Sequence, residues 1–163
     1  MDKIQLFTLP NRLCATRDLQ QLAGQLTTPY VFLCTKADIR WVYLAQERMV
    51  QVMQTTGAKM VYADRFHEIQ SEQGTQRTEA PVIDYQLGAL RDDFDFGAVM
   101  LFDAQALQQA VREMDADYTY AGLYDLRLRI SRMGKLVHIP EYLYYEVETD
   151  TRKSGEKLFD YVD

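Results

Sequence analysis

The sequence predicts an α/β domain with a mostly parallel sheet, flanked by helices and interrupted by an inserted hairpin. Three observations carry that expectation. Short apolar runs of the kind that buried strands show recur at residues 30–35 (YVFLCT) and 97–102 (GAVMLF). Stretches with apolar residues at helical spacing separate them, as at Leu19, Leu22 and Leu26. From residue 3 to residue 64 these segments alternate strand, helix, strand, helix, strand, the order of parallel sheets with right-handed crossovers.

Each element has its own local reason. Residues 3–8 (KIQLFT) read as a strand that Pro10-Asn11 ends. Thr16 suits the N-cap of a helix over residues 17–25. After Pro29 and the strand at 30–35, a helix is expected over 41–55, with Trp41, Leu44, Ala45, Arg48, Val52 and Met53 at helical spacing. Asp38 is a possible cap for it and Gly57 its stop. Residues 59–64 (KMVYAD) form the next strand. Residues 66–70 and 77–82 flank Ser71-Glu72-Gln73-Gly74, a hairpin in which Gly74 takes a positive φ. An acidic loop leads to the strand at 97–102, and Asp103 caps a helix reaching Glu113. The last elements are a helix around residues 123–130, a left-handed C-cap at Gly134, a strand at 136–139, a turn at Pro140 and a second strand at 142–147. Arg127, Arg129 and Arg132 suit the negative end of that helix.

With 163 residues, 47% hydrophobic and 26% charged, the chain suits a single domain, 1–163, with a full core. Its polar tail, 149–163, is expected to be exposed and to lead into a longer chain. A net charge of −6 argues against a nucleic-acid groove, which needs clustered Lys and Arg. No run approaches the roughly 18 apolar residues of a membrane helix, and no signal peptide opens the sequence. Cys14 and Cys34 lack metal-like spacing and read as buried free thiols, which suits a reducing, cytoplasmic setting.

In its later part the sequence resembles family-2 glycosyltransferases of the GT-A fold. The matching residues are Tyr124-Asp125-Leu126-Arg127-Leu128-Arg129, Gly134, His138-Ile139-Pro140-Glu141 and Leu143-Tyr144-Tyr145. The resemblance covers most of this chain, whereas the chain covers only the later part of such a domain, without its first two strands. It implies a GT-A-like sheet, a nucleotide-sugar donor, a glycan acceptor and a divalent cation, Mg or Mn, that offsets charge on the leaving diphosphate. Two positions depart from it. Where the family carries a Glu-Asp pair with the catalytic base, this chain has Gly122-Leu123. Where the family ends a strand in Asp-x-Asp, this chain has Thr35-Lys36-Ala37-Asp38.

The resemblance therefore leaves Asp38 as the one metal candidate, with Lys36 and Asp38 on the donor and phosphate side; Asp64, read as ending a strand at the edge where open α/β sheets place ligands, joins them as a donor-binding candidate. A lysine can meet phosphate directly, whereas beside a cation it repels the ion. Asp38 also fits a plain helix cap, and Asp64 plain turn chemistry. Asp93 and Asp95 are candidates for a substitute base or for sugar hydroxyls, with Phe94 or Phe96 stacking on a sugar; a solvated acidic loop anchored by its phenylalanines fits as well. Tyr124 and Asp125 fall on the acceptor side, although Asp125 equally suits the positive end of its helix. His138 reads as a structural histidine. The expected function is a glycosyltransferase-like domain, non-catalytic in isolation, that binds glycan or supports an adjacent transferase domain. The alternative is an active inverting transferase, which would need a cation and a positioned base.

Overall fold

The computed structural model describes residues 16–36, 38–82, 96–114 and 122–149. The strand expected at 3–8, Cys14, the loop with Asp93, Phe94 and Asp95, and the tail from 150 lie outside the described residues. The elements run α1 (Thr16–Gln25), β1 (Tyr30–Cys34), β2 (Ile39–Trp41), α2 (Ala45–Thr56), β3 (Met60–Ser71), β4 (Gly74–Ala80), β5 (Val99–Asp103), α3 (Ala104–Glu113), α4 (Gly122–Met133) and β6 (Leu136–Thr149).

The strands form one mixed sheet in the order β1-β5-β3-β6-β2, with β4 on β3. Only β3 and β6 pair in parallel; β1–β5, β5–β3, β3–β4 and β2–β6 are antiparallel. The expectation of a mostly parallel sheet is corrected accordingly. Its origin is visible in the strand directions: β1, β3 and β6 do run the same way, but β5 enters between β1 and β3 and opposes both. Apolar runs alone record burial, not which strand lies next to which or in what direction it runs.

Alternate residues of the central strands feed two cores. Met60, Tyr62, Met100 and Phe102 face α1, α3 and α4, joined by Leu19, Leu22, Leu107, Leu126 and Ile130. Val61, Ala63, Val99 and Leu101 face α2, joined by Met49, Val50 and Met53. This period-2 split is why these strands are apolar on both faces. Leu128 packs on the first core although it lies off the main stripe of α4.

Local chemistry sets the helix ends. Asp103 Oδ1 accepts the Ala106 N–H at 2.9 Å, the expected cap of α3. Gly57, at φ 69°, closes α2 by donating its N–H to the Met53 carbonyl. The start of α2 differs from expectation. Ile39–Trp41 pairs with β6 as β2, and Trp41 packs edge-on against Phe32 at 5.3 Å. The helix starts only after Leu44, so Asp38 caps nothing; its carbonyl accepts the Val147 N–H. Leu44 sits at φ 61° and is 55% exposed, an unfavourable conformation for a branched side chain with no burial to offset it. Leu44→Asn is expected to raise stability by about 0.5 kcal/mol, read as a higher melting temperature, because Asn tolerates this region better.

Gly134 is not left-handed, contrary to expectation; a Cβ there would lie 2.7 Å from the Lys59 Cγ, so close approach is what requires glycine. The hairpin forms as predicted, with Gly74 at φ 122°. Residues 59–64 and 66–70 are not two strands but the single β3. Pro140 makes no turn either: β6 runs on, and the register against β3 slips around Asp64 so that Pro140, Glu141 and Leu143 are extra residues. A bulge spares proline the ladder bond that it cannot donate. Beyond this slip, β3 and β6 project past β1 and β5 as an arm, with β4 on one side and β2 on the other. Cys34 is a free thiol on an exposed residue, which corrects the buried reading for that cysteine.

Candidate functional site

The shared direction of β1, β3 and β6 brings their carboxyl ends to one edge of the sheet, where open α/β sheets place ligands. Two ionic clusters lie there, one on each face of the β3–β6 pair. They arise because β3 changes character along its length. Residues 60–63 are apolar, whereas Asp64, Arg65, His67 and Glu68 put polar groups on both faces.

On the α2 face, Glu146 is the hub. Its carboxylate meets Arg65 Nε at 3.2 Å, His67 Nε2 at 3.1 Å and, more distantly, Lys36 Nζ at 4.0 Å. Arg65 also donates to the Ala80 carbonyl. The hydroxyl of Tyr144, two residues before the hub, accepts the N–H groups of Ala98 and Val99 at 2.9 and 3.3 Å. Burial pushes that phenol well above its usual range, so it remains neutral. Gly97 fits against the same hydroxyl at φ 80°, where a side chain would collide with it.

On the opposite face, Glu68 has a side chain only 1% exposed, yet its cover is a shell of its own partners rather than deep core. Arg40 donates twice, at 3.0 and 2.7 Å, Arg77 Nε once at 2.8 Å, and Gln70 at 3.1 Å. The Arg40 and Arg77 hydrogen bonds hold the carboxyl down at about 2, from an ordinary 4.5. A depressed carboxylate stabilises the fold fully above its unfolded pKa and loses that contribution as pH falls through the folded value. Glu68→Gln is therefore expected to lower stability at pH 7 and to flatten the loss between pH 4.5 and about 2, read from urea midpoints across that range. Tyr142, Phe66 and Tyr145 stack beside this cluster, with centroids 4.8 and 4.9 Å apart, and Arg40 lies 4.3 Å from the Tyr145 centroid. Asp38, Ile39, Arg40, Gln70, Val147 and Thr149 line a shallow, open cleft of about 370 Å³ next to it.

The predicted site residues scatter across this arrangement. Lys36 is at the carboxyl edge, 61% exposed, and engaged with Glu146. Asp38 lines the cleft with Arg40, and its one carboxylate between Lys36 and Arg40 in sequence is a donor set that does not fit a divalent ion. Among the described residues no three of His, Cys, Asp and Glu gather as a metal site would require. Asp64 does not end a strand: it lies buried within β3, where Oδ1 accepts the Val82 N–H at 2.9 Å and lies 2.7 Å from His138 Nε2. His138 stacks on Tyr62 at 5.1 Å, a structural setting. Phe96 is 1% exposed, edge-on to Tyr62 and beneath Arg127, so both core and cation already occupy the ring that was expected to meet a sugar. Tyr124 packs half-buried on the first core, and Asp125 pairs with Arg129 one turn on. Asp93, Phe94 and Asp95 lie outside the described residues.

Sequence reasoning missed Arg65, His67, Glu68 and Glu146. The available signal was the run of charged residues on both faces of a strand, which solvent exposure of one face does not explain.

Fold and site together define a mixed α/β domain whose strand ends carry ionic clusters rather than a gathered set of acids. No protein-family model matches the chain, and no curated protein matches it.

Proposed function

We propose that the chain is a glycosyltransferase-like domain of GT-A descent that binds a glycan acceptor, or supports an adjacent transferase domain, without itself transferring sugar. The observation that carries this reading lies at the start of α4. Gly122 and Leu123, at the positions where the resemblance puts an acid pair, are both buried, with Leu123 in the core under the sheet. Neither residue carries a carboxylate, and the acid of that first turn, Asp125, is paired with Arg129. The residues near β1 point the same way, because Lys36 meets Glu146 and leaves Asp38 as a single carboxylate.

Two features support the binding role. The cleft beside β2 has an Ile39–Val147 apolar part and an Asp38, Arg40, Gln70 and Thr149 polar part, which matches the mixed apolar and hydroxyl surface of a sugar ring. At the far end of the sheet, β1 is an edge strand whose side chains feed both cores, and no described residue pairs with its outer side. A neighbouring domain could continue the sheet there. The test is a glycan array beside isothermal titration with uridine and guanosine sugar nucleotides, with and without manganese. Glycan retention without metal-dependent donor binding is the expected result. Transfer of sugar from any donor would overturn the reading in favour of an active inverting transferase.

A further inference from the structure

Among the described residues no backbone hydrogen bond reaches the outer side of β4, and every residue from Gly74 to Glu79 is exposed. The hairpin geometry shows which groups that side presents. Ser71 and Gly74 pair across the two-residue loop Glu72-Gln73, and such a closing pair is hydrogen-bonded. Hydrogen-bonded and non-bonded pairs then alternate, so Gln76 and Thr78 aim their backbone groups at Ile69 and His67 of β3. Thr75, Arg77 and Glu79 aim theirs outward.

Charges on an edge strand ordinarily discourage a second strand. Here they alternate in sign in a way that favours one arrangement. If a second β4 lies antiparallel about a two-fold axis at Thr78, Arg77 of each copy faces Glu79 of the other. Both are outward positions, so the backbone groups meet as well. A two-fold at Arg77 would instead oppose two arginines, and one at Gln76 would leave Glu79 without a partner. An axis between residues would set outward groups against inward ones and form no ladder. The side chains also have capacity to spare: within the chain Arg77 uses Nε on Glu68, and Glu79 uses Oε2 for the Tyr142 hydroxyl. Glu68 thereby orients the Arg77 fork while its terminal nitrogens remain available.

We propose that β4 is a self-recognition edge, through which two copies of this chain join their sheets antiparallel with Arg77 of each against Glu79 of the other. The proposal is independent of the glycan reading.

Sedimentation equilibrium over a concentration series is expected to show the average mass rising toward that of a dimer. Glu79→Arg turns both attractive pairs repulsive and should weaken the association about tenfold, with an unchanged circular dichroism spectrum. With both native cysteines replaced by serine, Thr78→Cys should give a disulfide-linked dimer, because residues facing each other at a non-bonded antiparallel position lie within disulfide reach. Gln76→Cys, away from the axis, should not. A wild-type chain that stays monomeric throughout would overturn the proposal. So would a dimer indifferent to Glu79→Arg, or equal crosslinking at positions 76 and 78; a dimer that crosslinks at neither position would point to the apolar edge of β1 instead.

Discussion

Gly97→Ala is expected to destabilise the domain by about 3 kcal/mol, from strain at a positive φ and overpacking against the buried Tyr144 side chain. Gly97 combines φ 80° with a position where a Cβ collides with the Tyr144 hydroxyl. That hydroxyl cannot simply swing away, because it holds the buried N–H groups of Ala98 and Val99 at the entry to β5. Tyr144→Phe alone should cost about 2 kcal/mol, since it leaves those donors unpaired in an apolar setting. The informative measurement is the double variant. Removing the hydroxyl makes room for the alanine methyl, so the combined cost should fall short of the sum by about 1 kcal/mol or more. Additive urea midpoints would show that Gly97 and Tyr144 do not act through this contact.

The second large effect is expected at Asp64. Asp64→Ala should cost about 3 kcal/mol, because it strands the Val82 N–H and the His138 ring nitrogen together, each a buried polar group. In the structure the carboxylate accepts the first at 2.9 Å and lies 2.7 Å from the second. Asp64→Asn keeps an acceptor oxygen of the same reach and should cost about 1 kcal/mol. The two variants separate a structural role from a ligand-binding one. A carboxylate kept for binding a ligand would show little change in thermal midpoint on either substitution, whereas the buried pair predicts a graded loss.

What was legible follows the range of the forces involved. Helix α3 was readable to its last residue because Asp103 and its apolar stripe lie within one segment. The hairpin was readable because Gly74 stands where a tight turn needs it. The start of α2 was not, because Trp41 keeps helical spacing with Leu44 and Ala45 and only the free edge of β6 draws it into a strand. Nor was the role of Asp64, whose partners Val82 and His138 are far apart in the chain.

By itself the sequence determined that the chain mixes strands and helices, where the caps at Asp103 and Gly57 and the hairpin turn fall, and that Lys36 and Gly122-Leu123 stand at the positions where the resemblance expects acids. Only the tertiary structure decided that β5 separates β1 from β3, that Glu68 and Glu146 gather the arginines, and that Asp64 and Phe96 are buried. The division has one physical cause. Periodicity and capping act between residues a few positions apart, whereas strand order and ion pairing depend on which distant segments share an edge or a face, and composition along the chain does not encode that choice locally.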